Sequence, residues 1–400
     1  MWNESMRMLG AKRSVIRELF EYGKRRKAEI GEENVYDFSL GNPSVPAPPV
    51  VEEALVRLLR ETDPVKLHGY TSAQGDAGVR AAIADYLNRT YDAGVTADCF
   101  YLTAGAAASL TVSLTAILQP GDEVILLAPF FPEYRVFVER TGARVVAVSC
   151  AAPDFQPDLA ALEQAITDKT RAIIVNSPNN PTGAVLTEES VIGLTDLLRR
   201  ASARLGSPIY LIADEPYREL VYGDVKVPYL TNYYDDTLVC YSFSKSVSLP
   251  GERIGYILVS PRAKEFTQVY QAVCGAGRAL GFVCAPGLFQ YLIPSVLGVT
   301  SDLSVYDTNR ALLYGALTQY GFEAVPPDGA FYLFVKALEE DASAFCERAK
   351  RFELLLVPGD DFGCPGYVRI AYCVSTEQIR RSLPAFRKLA ESYRVSRKEE

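Results

Sequence analysis

The sequence predicts an α/β protein, a mostly parallel sheet covered by helices on both faces, with a smaller α+β domain attached. Three observations carry this. Short apolar runs alternate with helical segments from about residue 105 to residue 259. After about residue 290 the alternation gives way to a long helical stretch followed by two more β-type runs. A chain of 400 residues is long enough for two to three domain-sized units and a large core.

Residues 1–33 read as a charged N-terminal helix with Val15, Ile16, Leu19 and Phe20 at helical spacing. Gly41–Pro49 carries four prolines and reads as a rigid, extended linker, with a helix following at roughly 50–60. The β-type runs are Glu123–Ala128, Ala143–Ser149, Arg171–Asn176, Pro208–Ala213, Thr237–Tyr241 and Arg253–Val259. Helical segments are expected near 105–118, 132–141, 158–165 and 187–204. Beyond 290 come a helical stretch to about 320, β-type runs Ala330–Val335 and Tyr367–Ala371, and helices at 341–351 and 376–393. The expected division is an N-terminal arm at 1–48 that completes the small domain, a large domain at 49–290 and a small C-terminal domain at 291–400.

Composition narrows the function classes. A net charge of −8 offers no basic footprint for nucleic acid or an anionic membrane surface. Lys24–Lys27 is basic, but Glu21, Glu29, Glu32 and Glu33 surround it, so it reads as a solvated helix end. Eight cysteines form no C-x-x-C pair, the pattern of free thiols in a reducing compartment. No signal core is visible, and no apolar stretch approaches the about 20 residues of a membrane span. The expected location is therefore the cytoplasm. A single histidine, His68, excludes histidine triads and multi-histidine metal sites.

Lys245 ends an apolar run within Ser242-Phe243-Ser244-Lys245 and is followed eight positions later by Arg253. A Schiff-base lysine holding pyridoxal phosphate needs such a setting, an amine nucleophile with partners for a phosphate close by; a surface lysine after a strand is the plain alternative for this motif alone. Thr103–Leu110 places Gly105, Ala106 and Ala107 at a predicted helix start, where an anion can approach backbone N–H groups. A tightly packed alanine-rich helix explains that stretch equally well. Asp214 ends a buried run, where α/β ligand sites form, and can pair with a protonated ring nitrogen; a helix cap is the plain alternative. Asn179-Asn180-Pro181-Thr182-Gly183 follows another strand and makes a fixed turn that could aim an amide at a ligand. Neither a P-loop nor a dinucleotide fingerprint is present.

Taken together, the chain resembles the class I/II aminotransferases of the pyridoxal-phosphate-dependent fold-type I family, from about Ser14 to Lys388. The motifs run in the family's order: Gly41-Asn42-Pro43, Tyr70-Thr71, the Gly105 turn, Asn-Asn-Pro-Thr-Gly, Asp214-x-x-Tyr217, Ser242-x-x-Lys245, Arg253-x-Gly255, Gly329-Ala330-Phe331-Tyr332 and Tyr367-Val368-Arg369-Ile370. The resemblance implies a seven-stranded sheet and pyridoxal 5'-phosphate bound covalently to Lys245. It implies that Asp214 pairs with the pyridine nitrogen and that Asn180 and Tyr217 bond the ring's 3-oxygen. Phe131 would stack on the ring, and Gly105, Ala106, Ala107, Ser242 and Arg253 would hold the phosphate. Tyr70 would reach the phosphate of a neighbouring subunit in a homodimer. Arg369 would grip the substrate α-carboxylate as a planar fork, helped by the backbone at Gly41. The activity implied is amino-group transfer between an α-amino acid and a 2-oxo acid, of the aspartate/glutamate type. A carbon–sulfur β-lyase on the same fold shares these motifs. A cofactor-binding regulator would need a DNA-binding module, for which the roughly 40 residues before the proline linker leave no room. Arg278 is a candidate for a distal carboxylate without a firm match to the family.

Overall fold

The computed structural model describes residues 2–11, 14–150 and 152–399. The chain opens with helices α1 (Glu4–Ala11) and α2 (Val15–Ile30), then strand β1 (Tyr36–Asp37) and helices α3 (Pro49–Glu61), α4 (Pro64–His68) and α5 (Ala77–Tyr91). Strand β2 (Phe100–Thr103) leads into α6 (Ala106–Ile117), β3 (Glu123–Ala128), α7 (Glu133–Glu139), β4 (Arg144–Ser149), α8 (Leu159–Ala165) and β5 (Thr170–Asn176). Then come α9 (Glu188–Leu205), β6 (Tyr210–Asp214), β7 (Thr237–Ser242), β8 (Gly255–Val259), α10 (Phe266–Leu280), α11 (Gly287–Val296) and α12 (Leu303–Tyr320). The rest is β9 (Tyr332–Lys336), α13 (Ala342–Lys350), β10 (Leu354–Leu355), β11 (Val357–Pro358), β12 (Tyr367–Ala371) and α14 (Thr376–Glu399).

The seven-stranded sheet has the order β2-β8-β7-β6-β5-β3-β4. Strands β7, β6, β5, β3 and β4 pair in parallel, while β8 runs antiparallel to both β7 and β2. The mostly parallel α/β architecture expected from the alternating runs is therefore present. Strands β6 to β8 are apolar along nearly their whole length because helices cover both faces. One core lies on the face that includes Leu211, Ala213 and Val239, and another on the face that includes Ile212, Leu238 and Cys240. A separate cluster around Phe331, Leu333, Ile370 and Phe386 fills the three-stranded sheet β11-β12-β9 and its helices. The N-terminal segment joins this part, since β1 pairs with β10.

Several local expectations need correction. The N-terminal region is two helices. Ser14 caps the second, its hydroxyl accepting from Arg17 N, and such caps start new helices. The stretch expected to be helical up to 320 is broken between Val296 and Leu303, where Gly298 takes φ 76° and Asp302 caps the next helix. Strand β2 was not expected: its four residues sit directly before the small-residue helix start. Helices α5 and α10 were also not expected, and α10 carries Gly275 and Gly277 inside it. A Cβ on Gly277 would meet the Tyr101 hydroxyl at 2.2 Å, so close packing, not turn formation, selects that glycine.

Glycine also governs strand β8 beside the site. A Cβ on Gly255 would lie 2.2 Å from Tyr241 O and 3.2 Å from the Gly105 Cα. Both are backbone atoms, so relief requires moving the strand. Gly255→Ala is expected to cost about 1–3 kcal/mol in urea unfolding. The same change at exposed Gly251, which has nothing within 4 Å of the added carbon, should be near neutral.

Candidate active site

The C-terminal ends of the central strands bring the candidate residues together. Asn176 ends β5 and is in register with Asp214 at the end of β6, and Ser242 ends β7 opposite Gly255. A cavity of about 360 Å³ opens above them. It is lined by Gly41, Ala106, Ala107, Phe131, Asn180, Asp214, Tyr217, Ser242, Lys245, Arg253 and Arg369, among others. Of the residues singled out from the sequence, Gly105 lies immediately beside this lining, and Tyr70, 98% exposed, does not line it. Arg278 and His68 are exposed and do not line the cavity.

Asp214 is buried, and its Oδ2 accepts from the Tyr134 hydroxyl. Its Oδ1 has no hydrogen-bond partner. Burial pushes this carboxyl up to about 7, against the lowering effect of the Tyr134 bond, and Glu215 adds a smaller upward push. The Asn176 amide fixes the strand ends, donating to Asp214 O at 2.8 Å while its Oδ1 accepts from Asn180 N at 2.7 Å.

Lys245 is half-buried, and its Nζ donates to Gly41 O at 2.7 Å. Burial, followed by the charges of Arg369 and Arg253, pulls the ammonium down to about 8, with Cys373 acting the other way. A Cβ on Gly41 would fall 2.0 Å from the Tyr332 hydroxyl, so only glycine allows this approach.

Helix α6 begins without a side-chain cap at Gly105, which takes φ 85°, so its first N–H groups are free for an anion. Arg253 faces this turn, its Nη2 2.9 Å from the position a Gly105 Cβ would take. Arg369 is 2% exposed. Its Nη1 donates to Asn180 Oδ1 at 3.1 Å and Nη2 to Ser39 O at 2.5 Å, while Nε has no partner. The guanidinium lies over the rings of Tyr332 and Phe362. Tyr217 and Tyr332 share a hydroxyl contact of 2.8 Å.

These features fit pyridoxal phosphate. An unpaired buried carboxylate oxygen suits a protonated ring nitrogen, an uncapped helix start beside an arginine suits a phosphate, and a partly neutral amine suits an aldehyde. Sequence reasoning missed Tyr134, Tyr332 and Asn176. Tyr134 stands three positions after Phe131 in the helix expected at 132–141, and Tyr332 belongs to the Gly329-Ala330-Phe331-Tyr332 motif.

A family model described as aminotransferase class I and II matches residues 33–386. An aspartate aminotransferase of Thermotoga maritima is 33% identical over 376 residues, covering 92% of this chain and 95% of that protein. An amino transferase structure from Eubacterium rectale matches with TM-score 0.97 and 56% identity, covering 98% of this chain and 99% of the other. The aspartate aminotransferase of Thermus thermophilus with maleate matches with TM-score 0.85 and 29% identity, covering 97% and 100%.

The raised Asp214 carboxyl has a stability signature. Between about pH 4 and 7 the folded chain keeps this proton while the unfolded chain has released it. The group's contribution is thus most favourable below pH 4 and is lost as the pH climbs to 7. Asp214→Asn removes that loss. The cofactor-free variant is expected to melt about 5 °C above the parent near pH 8 and together with it near pH 4, as read by thermal denaturation.

Proposed function

The chain belongs to the class I and II aminotransferases, and from that premise we propose that it uses pyridoxal 5'-phosphate, held in the cavity around Lys245, to exchange amino groups between aspartate or glutamate and 2-oxo acids. The protein is an enzyme of the transaminase class. The observation that carries the cofactor reading is the juxtaposition in one cavity of Lys245, the unpartnered Asp214 oxygen, the uncapped α6 start and buried Arg369. The names of the relatives support aspartate as the amino donor.

When bound, pyridoxal phosphate supplies a protonated pyridine ring that accepts the electron pair released at the substrate α-carbon. Asp214 would keep the ring nitrogen protonated, and gaining that partner would bring its own carboxyl back to the ionised state. Asn180 and Tyr217 would bond the ring's 3-oxygen, and Phe131 would pack on the ring. Gly105, Ala106, Ala107, Ser242 and Arg253 would hold the phosphate. Because Ala106 and Ala107 carry no polar side chain, backbone N–H groups and Arg253 supply most of that grip. Arg369 would clamp the substrate carboxylate, beside the Gly41 backbone. Lys245 would attach the cofactor and then act as base, its Nζ taking the α-carbon proton. An amine titrating near 8 has a sizeable neutral fraction at physiological pH, which this role needs.

The proposed large domain, 49–290, contributes most of these groups, and the flanking small-domain segments contribute Gly41 and Arg369. The homodimer proposal rests on exposure. Tyr70 and Val65 are strongly exposed in the lone chain, and Phe282 and Val283 are partly so. The Cys284 backbone N–H bonds Ala73 O, which brings these two loops side by side. Among the described residues no helix is long and apolar enough to cross a membrane.

Stopped-flow mixing with a panel of amino acids is expected to bleach the cofactor absorbance, and a 2-oxo acid should restore it. Release of ammonia and pyruvate from a cysteine-type donor, without that cycle, would identify a β-lyase instead. Lys245→Ala should lose at least about a thousandfold in turnover while binding cofactor non-covalently. Sedimentation should show a two-chain species, weakened by a charged residue at Val65.

A further inference from the structure

Arg218, one residue after Tyr217, is 4% exposed, and the site described so far does not use it. Its Nε donates to Glu215 Oε2 at 2.6 Å, and Nη2 donates to the same oxygen. The guanidinium carbon lies 4.9 Å from the ring centroids of Tyr229 and Tyr241 and 5.4 Å from that of Tyr91. These rings form two stacked pairs, Tyr91 on Tyr229 at 4.7 Å and Tyr241 on Tyr256 at 4.9 Å. The Tyr256 hydroxyl accepts from Nη1 at 3.5 Å.

The origin of each contact gives the cluster its meaning. Arg218 and Glu215 belong to the loop that leaves β6 through Asp214. Tyr241 lies on β7, directly before Ser242 and four residues before Lys245. Tyr256 lies on β8, three residues after Arg253. A second arm reaches the lysine turn: the Tyr241 hydroxyl donates to Glu219 Oε1 at 3.0 Å and lies 3.2 Å from the Ser246 hydroxyl. One buried cation thus touches groups at the ends of β6, β7 and β8, three of the strand ends that open into the cavity. Charge pairing and ring contacts fix a planar guanidinium in several directions at once, which a hydrophobic side chain of similar size cannot do.

We propose that Arg218 is a positioning residue that locks the ends of β6, β7 and β8 together, so that Asp214, Lys245 and Arg253 meet one cofactor in register. This rests on the cofactor reading above. The test compares the holoenzyme with Arg218→Met and Arg218→Lys, measuring the cofactor dissociation constant, the maximal half-reaction rate and the amino acid KM. Arg218→Met is expected to weaken cofactor binding about tenfold and to slow the maximal rate by a similar factor. KM should stay within about twofold, since Arg369 is untouched. Arg218→Lys, which keeps the charge among the rings, should recover part of both losses. Arg218→Met leaves Glu215 buried without a partner, so it is paired with Glu215→Gln/Arg218→Met, which removes that carboxylate and should fold while showing the same losses. Folded variants with cofactor affinity and rate within about twofold of the parent, or with rate and KM falling together, would overturn the role. If the parent fails to transaminate but Arg218→Met still loosens the cofactor, the positioning role stands and the aminotransferase reading falls.

Discussion

Asp214 and Lys245 come from β6 and from the turn after β7, its neighbour, into a cavity that withholds water from both, and this shared desolvation organises the rest of the site. Removal from water favours the neutral form of each group, so the carboxyl moves up towards 7 and the amine down towards 8. Such a site is a cost to the folded chain, because the unfolded chain would ionise both groups freely. The strands beside it offset that cost with nearly continuous apolar burial on both faces of the sheet. The short strand ends are then held by specific polar contacts, such as the Asn176 amide bridging β5 and β6.

Two buried arginines are treated in opposite ways, and the difference supports the proposed roles of one as scaffold and the other as ligand site. Arg218 has a carboxylate on its fork and tyrosine rings around it, so its charge is already satisfied. Arg369 is equally buried but, among the described residues, forms no ion pair. It makes do with an amide oxygen and a backbone carbonyl, leaves Nε unbonded, and is shifted down by burial. A buried guanidinium left without an anion is expensive to keep unless an anion arrives. A substrate carboxylate is the natural group to complete it, bound in the bidentate manner a planar fork permits.

The parts of this arrangement that were legible in the sequence are those written in consecutive residues. Lys245 with its flanking serines, Asp214 at the end of an apolar run, and the sheet-forming runs are each local patterns. The alternation of runs and helices also sufficed for the architecture, because a two-faced parallel sheet leaves that signature directly in hydropathy. What was not legible is long-range. Tyr91, Tyr229, Tyr241 and Tyr256 are scattered along the chain, and nothing near each one announces a shared cation. Glu215 and Arg218, three apart in an irregular loop, resemble a solvated surface pair until the burial of both is known. Strand β2 was missed for a different reason: it is only four residues long, and its antiparallel partner β8 lies far along the chain.

Burial does most to depress Lys245, and the positive charges that add to it are the same ones proposed to bind anions. Arg253 faces the Gly105 turn and Arg369 lies buried without an ion-pair partner among the described residues, and both lower the lysine. An anion bound at either place cancels part of that effect, so Lys245 should grow more basic as the site fills. A nucleophile wants a neutral amine before substrate is in place, and a base wants affinity for a proton afterwards. In the proposed roles, the electrostatic arrangement would meet both needs without a second titrating side chain. That explains how one lysine can serve where histidine-based sites use several groups, in a chain whose single histidine lies at the surface, away from the cavity.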